Sequence, residues 1–140
     1  MQSGWPLQVT QALLASGAPI QEMNIVRKHL SRIQGGRLAQ LTAARVLALV
    51  VSDVAGDDLS AIASGPCAPD PSTYADAIDV LRRWNVDAPP EVGALLQKGQ
   101  QGLIDETPKP GDPIFARVEH RMIATARGSL LAAAKVFEAA

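Results

Sequence analysis

The sequence has little that would tie it to a membrane, to an oxidising compartment or to a highly charged partner. It contains one cysteine, Cys67, which excludes an internal disulfide. Its longest apolar run, Val46 to Val51, is far shorter than the roughly 20 residues that a membrane-spanning helix needs. The chain does not open with the basic, then apolar, then small residues of a secretory signal. We therefore expect a cytoplasmic protein that does not associate with a membrane.

An excess of charge of one sign is also missing. The 140 residues include 13 lysines and arginines and 14 aspartates and glutamates, which leaves a formal net charge of -1 at pH 7. Without a global positive field the chain is not expected to bind nucleic acid, so any anion must be bound by a local cluster. A hydrophobic content of 47% is sufficient for the core of one compact unit.

Positive charge is concentrated in one predicted helix. Apolar residues spaced by three or four predict a helix from about 21 to 34. Four basic side chains lie in this stretch: Arg27, Lys28, His29 and Arg32. The pair Gly35-Gly36 follows, and cations near a helix end, a glycine pair and a new helix start together predict an anion cradle. The alternative is a solvated helix face that the glycines cap, with no ligand role.

Negative charge follows a predicted strand. Residues 46–51 are typical of a strand in a parallel sheet that helices cover on both faces. Asp53 stands at the carboxyl end of this strand, where open α/β sheets bind their ligands. Asp57 and Asp58 follow, and Mg²⁺ prefers one or two carboxylates together with phosphate oxygens. The pattern therefore predicts a phosphate and magnesium site, although Asp57 and Asp58 also suit the cap of a helix.

The remaining pattern predicts the fold class. Apolar periodicity, glycine and proline predict further helices at 7–16, 37–42, 58–63, 73–84, 91–98 and 129–140, a second strand at 120–126 and an irregular segment at 99–113. Two strands alone make a marginal sheet in water. We therefore expect an α/β architecture, a helix-rich fragment of a doubly wound, Rossmann-like parallel sheet whose strands are joined by a right-handed crossover. A homodimer that supplies the missing strands is the alternative.

Six motifs, taken together, carry a family resemblance. They are Asn24-x-Val-Arg-Lys-His-Leu-Ser31, Gly35-Gly36-Arg37-Leu-Ala39, Ser52-Asp53-Val-x-Gly-Asp-Asp58, Ile62-Ala-Ser-Gly-Pro66, Pro69-Asp-Pro71 and Glu106-Thr-Pro-Lys-Pro-Gly-Asp112. In this order they resemble the N-terminal domain of the class II glycerate 2-kinases, a family often labelled hydroxypyruvate reductase or tartrate-utilisation protein. The resemblance implies that residues 1–140 form part of that α/β domain, without the upstream segment and C-terminal domain of family members.

The resemblance also implies an activity and a set of site residues. The activity is ATP-dependent phosphorylation of D-glycerate with Mg²⁺, in which catalysis is mostly positioning and charge neutralisation. The implied catalytic residues are Lys28 and Asp53. The implied substrate or phosphate contacts are Asn24, Arg27, Gly35, Gly36, Ser64 and Gly65, and the implied magnesium ligands are Asp53, Asp57 and Asp58. Because the family's main lysine lies upstream of this region, the chain alone is expected to be incomplete and inactive.

Two other functions remain as alternatives at this point. An NAD(P)-dependent hydroxypyruvate reductase would suit the family's older label, but no Gly-x-Gly-x-x-Gly follows a predicted strand. A non-catalytic binding or assembly module would need no ligand at all. With two histidines, His29 and His120, and one cysteine, the sequence does not predict a zinc site.

Overall fold

The structure is a computed structural model, and it describes residues 4–138 of the chain. Within these residues it contains six α-helices and two β-strands. The helices are α1 (Trp5–Ser16), α2 (Ile20–Leu30), α3 (Arg37–Gln40), α4 (Tyr74–Arg83), α5 (Pro90–Gln100) and α6 (Ala126–Glu138), and the strands are β1 (Val46–Ser52) and β2 (Val118–Thr125). Two short 3₁₀ turns, Ile62–Ser64 and Pro113–Arg117, complete the regular structure of this part.

Four helices, α1, α2, α4 and α5, enclose one hydrophobic core. Its fully buried members include Val9, Leu13, Met23, Val26, Tyr74, Ala77, Val80, Leu81, Val92 and Leu96. In each helix these residues recur at spacings of three or four, so that one stripe of the helix faces the core. Burying one such Val or Leu side chain contributes about 1.5–3 kcal/mol. The helical half of the chain therefore has a core of its own.

The start of α4 shows how local sequence fixes an element. The Thr73 hydroxyl accepts the backbone N–H of Asp76, and the Asp76 carboxylate accepts the backbone N–H of Thr73 at 2.8 Å. This capping box satisfies two backbone donors that a bare helix end would leave without partners. Serine and threonine are both favoured N-cap residues, and of the pair Ser72-Thr73 the structure assigns the cap to Thr73.

The two strands pair in parallel, as the sequence predicted. Val46 pairs with Val118 and Ser52 with Thr125, with an irregularity in register between Val50 and Val51. The connection from β1 to β2 contains α4 and α5. The α/β class is therefore confirmed, but a doubly wound sheet needs more strands than the two in residues 4–138. The hand of the crossover stays a prediction.

The expectation that helices cover both faces of β1 is wrong for this chain. Leu47, Leu49 and Val51 are 51%, 59% and 61% exposed, while the residues between them are partly buried. Alternate side chains of a strand point to opposite faces, so one face of β1 packs on the protein and the described residues leave the other open. Further exposed apolar side chains lie on α6: Leu130, Leu131, Val136 and Phe137.

Two helix predictions also need correction. The second helix ends at Leu30 and not near residue 34, because Ser31 is extended and its hydroxyl accepts the backbone N–H groups of Ile33 and Gln34, both at 3.2 Å. The expected helix at 58–63 is absent from the described structure. Ala63 has a left-handed backbone with φ 51°, which no right-handed helix allows.

None of the described helices is both long enough and apolar enough to cross a membrane.

Candidate functional site

A cavity of about 450 Å³ lies where the helical core meets the end of the sheet. Asn24 and Arg27 of α2 form one wall, since residues three apart share a face of a helix. Asp53, directly after β1, and Ser64, at the end of the 3₁₀ turn, also line it. Four of the predicted site residues, from three separate segments of the chain, thus line one cavity.

The polar groups of this cavity differ in how they are held. Asn24 is only 6% exposed, and its Oδ1 accepts a hydrogen bond from the Ser64 hydroxyl at 2.9 Å. The Asn24 Nδ2 has no hydrogen-bond partner among the described residues. Arg27 is partly exposed and Asp53 is exposed, and neither forms an ion pair within residues 4–138. The cavity therefore offers a cation, an amide donor and a carboxylate that are all available to a ligand.

A left-handed turn at residues 63–65 supports the floor of the cavity. Ala63, Ser64 and Gly65 have φ values of 51°, 60° and 60°. The carbonyl oxygens of Ser64 and Gly65 accept the backbone N–H groups of Gly35 and Gly36 at 3.0 and 2.7 Å. A left-handed conformation costs a non-glycine residue about 1–2 kcal/mol. The pairing with the Gly35-Gly36 segment stabilises the turn against that cost.

The glycine pair is not the anion cradle that the sequence predicted, and it does not cap the end of α2, although Gly36 is the N-cap of α3. Because the N–H groups of Gly35 and Gly36 are bonded to residues 64 and 65, they are not available to a phosphate. Both glycines are instead required by close packing. A Cβ on Gly35 would lie 3.1 Å from the Lys28 Cβ, and a Cβ on Gly36 would lie 2.9 Å from the Ala68 carbonyl oxygen. Gly65 is likewise engaged through its own N–H and carbonyl.

Lys28 does not line the cavity. It is 5% exposed, and its Nζ donates to the Asp70 Oδ1 at 3.3 Å. Asp70, which is fully buried, also accepts from the Ser72 hydroxyl at 2.6 Å and from the Thr107 hydroxyl at 3.0 Å. The predicted catalytic lysine is thus one member of a buried ion pair, which anchors α2 to two loops.

The partners of Asp70 decide its charge state. Burial by itself raises the pKa of this carboxyl, but the hydrogen bond from the Ser72 hydroxyl and the charge of Lys28 outweigh it. The pKa of Asp70 therefore lies below its usual range. Asp70 is charged whenever the protein is folded at neutral pH, and Lys28 has a permanent partner.

A second polar contact anchors the neighbouring residue of α2. The His29 Nδ1 lies 2.8 Å from the carbonyl oxygen of Ile25, and its Nε2 lies 2.9 Å from the Glu106 Oε1. The partners of the two ring nitrogens are a carbonyl oxygen and a carboxylate oxygen. Glu106 also accepts the backbone N–H groups of Tyr74 and Thr107 at 3.0 and 2.9 Å. Burial raises the pKa of Glu106, but these two N–H bonds and the charge of His29 lower it overall.

Sequence reasoning missed this network. Asp70 and Glu106 belong to the proline-flanked motifs at 69–71 and 106–112, and the second of these lies in the segment that was predicted to be irregular. Lys109 belongs to the second motif, and its Nζ donates to the Thr107 hydroxyl and to the Ser72 carbonyl oxygen. The available signal was the placement of Asp, Glu and Thr between prolines, since proline stiffens a loop enough to hold a buried polar side chain.

The three aspartates predicted to bind magnesium do not assemble. Asp53 lines the cavity, but Asp57 and Asp58 are exposed and lie outside its lining. The Asp58 carboxylate accepts the backbone N–H and the hydroxyl of Ser60 at 2.8 and 3.1 Å, so it caps a turn. In residues 4–138, no group of three or more His, Cys, Asp and Glu side chains is arranged to hold a metal ion.

Comparison with known proteins places the chain in a family. Residues 6–97 match the family model described as "Domain of unknown function (DUF4147)". The chain belongs to this family. The match covers α1, α2, the cavity and α4, together with most of α5, so the geometry described above lies within the family's domain.

Members of this family with curated names show the same relationship. A protein from Agrobacterium vitis named "Putative hydroxypyruvate reductase" is 49% identical over 127 residues, which is 90% of this chain and 27% of that protein. The "D-glycerate 2-kinase" of Thermotoga maritima is 48% identical over 103 residues, 73% of this chain and 23% of that protein. The resemblance that the six motifs indicated is confirmed, because both family labels occur among the relatives.

A solved structure shows the fold. A crystal structure of a protein from Pyrococcus horikoshii OT3 superposes with a TM-score of 0.84 at 36% sequence identity, covering 99% of this chain and 31% of that chain. The chain therefore spans between about a quarter and a third of the length of these three proteins.

Proposed function

We propose that this chain provides part of the substrate site of a glycerate 2-kinase that phosphorylates D-glycerate with ATP. The observation that supports it is the single cavity in which Arg27, Asn24 and Asp53 come together. The names of its relatives point the same way, since the Thermotoga maritima protein is a D-glycerate 2-kinase. In this proposal the activity needs more residues than these 140, and the chain supplies the groups described below.

Arg27 and Asn24 bind the substrate carboxylate in this proposal. A guanidinium can grip a carboxylate with two parallel hydrogen bonds, and these charge-assisted bonds are stronger than neutral ones. The Asn24 Nδ2 adds a donor from the same face of α2. Orienting the substrate in this way fixes its hydroxyl for transfer, and orientation is a large part of the rate acceleration of phosphoryl transfer.

Asp53 accepts the proton of the attacking hydroxyl or orients that hydroxyl. It lies at the carboxyl end of β1 and lines the same cavity as Arg27. Magnesium would neutralise phosphate charge when bound with the nucleotide. Among residues 4–138, Asp53 is the one carboxylate in the cavity lining, so the donor set fits Mg²⁺ that arrives on phosphate oxygens and does not fit a metal cage built from protein side chains.

The other predicted residues act as supports in this proposal. Lys28 holds α2 to the buried Asp70, and the Gly35-Gly36 pair holds the left-handed turn. The glycine pair does not support the reductase alternative. A dinucleotide-binding turn presents free backbone N–H groups to a pyrophosphate, whereas those of Gly35 and Gly36 are already bonded to carbonyl oxygens.

A ligand titration separates the three candidate functions. The protein expressed from its complete coding sequence is titrated with D-glycerate, with ATP and Mg²⁺, and with NADH, while thermal unfolding is followed. A kinase is stabilised by the first two ligands and releases ADP when they are combined. Stabilisation by NADH with oxidation of NADH in the presence of hydroxypyruvate would favour the reductase. No response to any ligand would favour a binding or assembly module.

A further inference from the structure

We propose that Ser64 is a positioning residue for substrate recognition. The left-handed turn at 63–65 holds the Ser64 hydroxyl against Asn24, and this bond aims the Asn24 Nδ2 into the cavity beside Arg27. The pair of Asn24 and Arg27 then recognises the carboxylate of a short 2-hydroxycarboxylate, whose hydroxyl faces Asp53. The inference takes its substrate, D-glycerate, from the proposed function. The positioning itself can be measured by ligand binding alone.

The first observation is that the two polar atoms of the Asn24 amide differ in their hydrogen bonds. Asn24 and Ser64 are 6% and 1% exposed, so the bond between them is shielded from bulk water. The Asn24 Oδ1 accepts this bond from the Ser64 hydroxyl at 2.9 Å, whereas the described part of the chain forms no hydrogen bond with its Nδ2. Asn24 lines the cavity. Its Nδ2 is therefore a donor that a ligand in the cavity can use.

The second observation is the backbone of Ser64 itself. Its φ of 60° lies in the left-handed region, where glycine would be free of strain and serine is not. Gly65, the next residue, has the same φ and is a glycine. Such a conformation persists only where the surrounding structure holds it, and Ser64 is held by its carbonyl bond to the Gly35 N–H and by its hydroxyl bond to Asn24.

The third observation is the chemistry that faces the ligand. The Asn24 Nδ2 and the Arg27 guanidinium are donors only, which selects an anionic group with several acceptor oxygens. Asp53 lines the same cavity and adds a negative charge. That charge opposes a phosphate dianion more than a carboxylate monoanion, and it can accept a hydrogen bond from a hydroxyl. A short molecule with a carboxylate next to a hydroxyl satisfies all three groups.

The test removes the hydroxyl without adding strain. Ser64→Gly deletes the bond to Asn24 and relaxes the backbone, while Asn85→Gly relaxes a similar left-handed residue (φ 49°) on the far side of α4. Both variants are made in the protein expressed from its complete coding sequence. We expect Ser64→Gly to raise the Kd and the KM for D-glycerate about tenfold, the loss typical of one buried hydrogen bond. Ser64→Gly should neither raise the KM for ATP nor lower the unfolding temperature. Asn85→Gly should leave the unfolding temperature unchanged and should change the Kd and KM values by no more than about twofold.

Two variants of Asn24 test the direction of the amide. Asn24→Asp keeps an acceptor for the Ser64 hydroxyl but replaces the donors with a negatively charged oxygen, so it should bind D-glycerate at least about tenfold more weakly than Asn24→Ala. If Asn24→Asp binds as well as the unmodified protein, the amide presents Oδ1 to the cavity and the inference is overturned. It is equally overturned if Ser64→Gly leaves the Kd and the KM for D-glycerate within about twofold.

A ligand panel keeps this inference separate from the proposed kinase. The unmodified protein and Ser64→Gly are titrated calorimetrically with glycolate, D-lactate and inorganic phosphate as well as D-glycerate. If the 2-hydroxycarboxylates bind and Ser64→Gly weakens them, but no phosphorylation of D-glycerate occurs, the proposed kinase fails and the positioning role stands. Binding of phosphate alone, or of none of the four probes, overturns the recognition that we assign to Ser64 and Asn24.

Discussion

At the scale of single residues, four polar positions of α2 divide between two environments. Asn24 and Arg27, three residues apart, face the cavity, while Lys28 and His29 face the buried pairs with Asp70 and Glu106. Each helical residue turns the side chain by about 100°. Adjacent cations therefore cannot all reach one ligand. Counting the cations of such a motif predicts more ligand contacts than the helix can make.

This division predicts opposite effects for two adjacent lysine and arginine substitutions. Lys28→Met leaves Asp70 charged and without its buried partner, so it should lower the free energy of unfolding by about 3 kcal/mol or more. Arg27→Met removes a partly exposed side chain that forms no ion pair within residues 4–138, so stability should change by less than about 0.5 kcal/mol. Chemical denaturation of both variants measures this difference, and calorimetry should show that Arg27→Met has lost D-glycerate binding.

The opposite ranking would contradict the assignment of these two residues. A stable Lys28→Met variant that no longer turns over substrate would return Lys28 to the catalytic site. An Arg27→Met variant that unfolds easily would make Arg27 a structural residue.

At the scale of elements, the site depends on the pairing of the segment at 34–38 with the turn at 63–66. A Cβ on Gly36 would meet a backbone carbonyl at 2.9 Å, and φ is +82°. Gly36→Ala should therefore lower the free energy of unfolding by about 2 kcal/mol or more. Gly102→Ala is the matched control, because its φ is +72° but no atom lies within 4 Å of the added Cβ. Equal losses in the two variants, measured by denaturation, would show that the backbone pairing is not needed.

The buried network that joins α2 to the loops predicts a dependence of stability on pH. The folded-state pKa values of Asp70 and Glu106 are lowered, so the unfolded chain binds protons more readily. Their stabilisation is complete above the unfolded pKa values near 4 and is lost as the pH falls through the lower folded values. The urea midpoint should therefore decline steadily from about pH 5 to pH 3. Asp70→Asn should be less stable at neutral pH and should show a shallower decline, and parallel curves for the two proteins would contradict this origin.

The sequence predicted elements with strong local signals and failed where distant contacts decide. The Thr73 cap, the apolar stripe of α4 and the parallel pairing of β1 follow from residue types and spacing. The end of α2 and the turn at 63–65 do not, because the turn is held by N–H groups from Gly35 and Gly36, about 30 residues away. For the same reason, the sequence predicted an anion cradle at these two glycines, although their N–H groups are already bonded in the folded chain.

The candidate site shows the same limit. Asp53 and Arg27 could be predicted, since one follows a strand and the other lies on a cationic helix. The support from Asp70, Glu106 and Thr107 could not be predicted, because Asp70 and Thr107 lie 37 residues apart and meet only in the folded chain.

At the scale of the whole molecule, the site lies at the boundary between two unlike parts. The helical core excludes water from its own residues, whereas the sheet and α6 leave large apolar side chains such as Leu49 and Phe137 exposed at 59% and 83%. Asn24 and Arg27 belong to the first part and Asp53 to the end of the second. Any shift of the sheet relative to the helices therefore changes the distance across the cavity. The relatives are three to four times longer than the region that matches this chain.

One measurement on Asp53 tests the account most directly. Asp53→Asn keeps the size and hydrogen-bonding capacity of the side chain but removes its charge, so a role toward the attacking hydroxyl predicts a loss of about 2–4 kcal/mol of transition-state stabilisation. The measurement is kcat/KM for D-glycerate phosphorylation in the protein expressed from its complete coding sequence, with thermal unfolding as the check on folding. Asp87→Asn, an exposed carboxylate in the loop after α4, is the matched control. The account predicts a loss of at least about thirtyfold for Asp53→Asn and none for Asp87→Asn. A folded Asp53→Asn variant with activity within about threefold of the unmodified protein would contradict it.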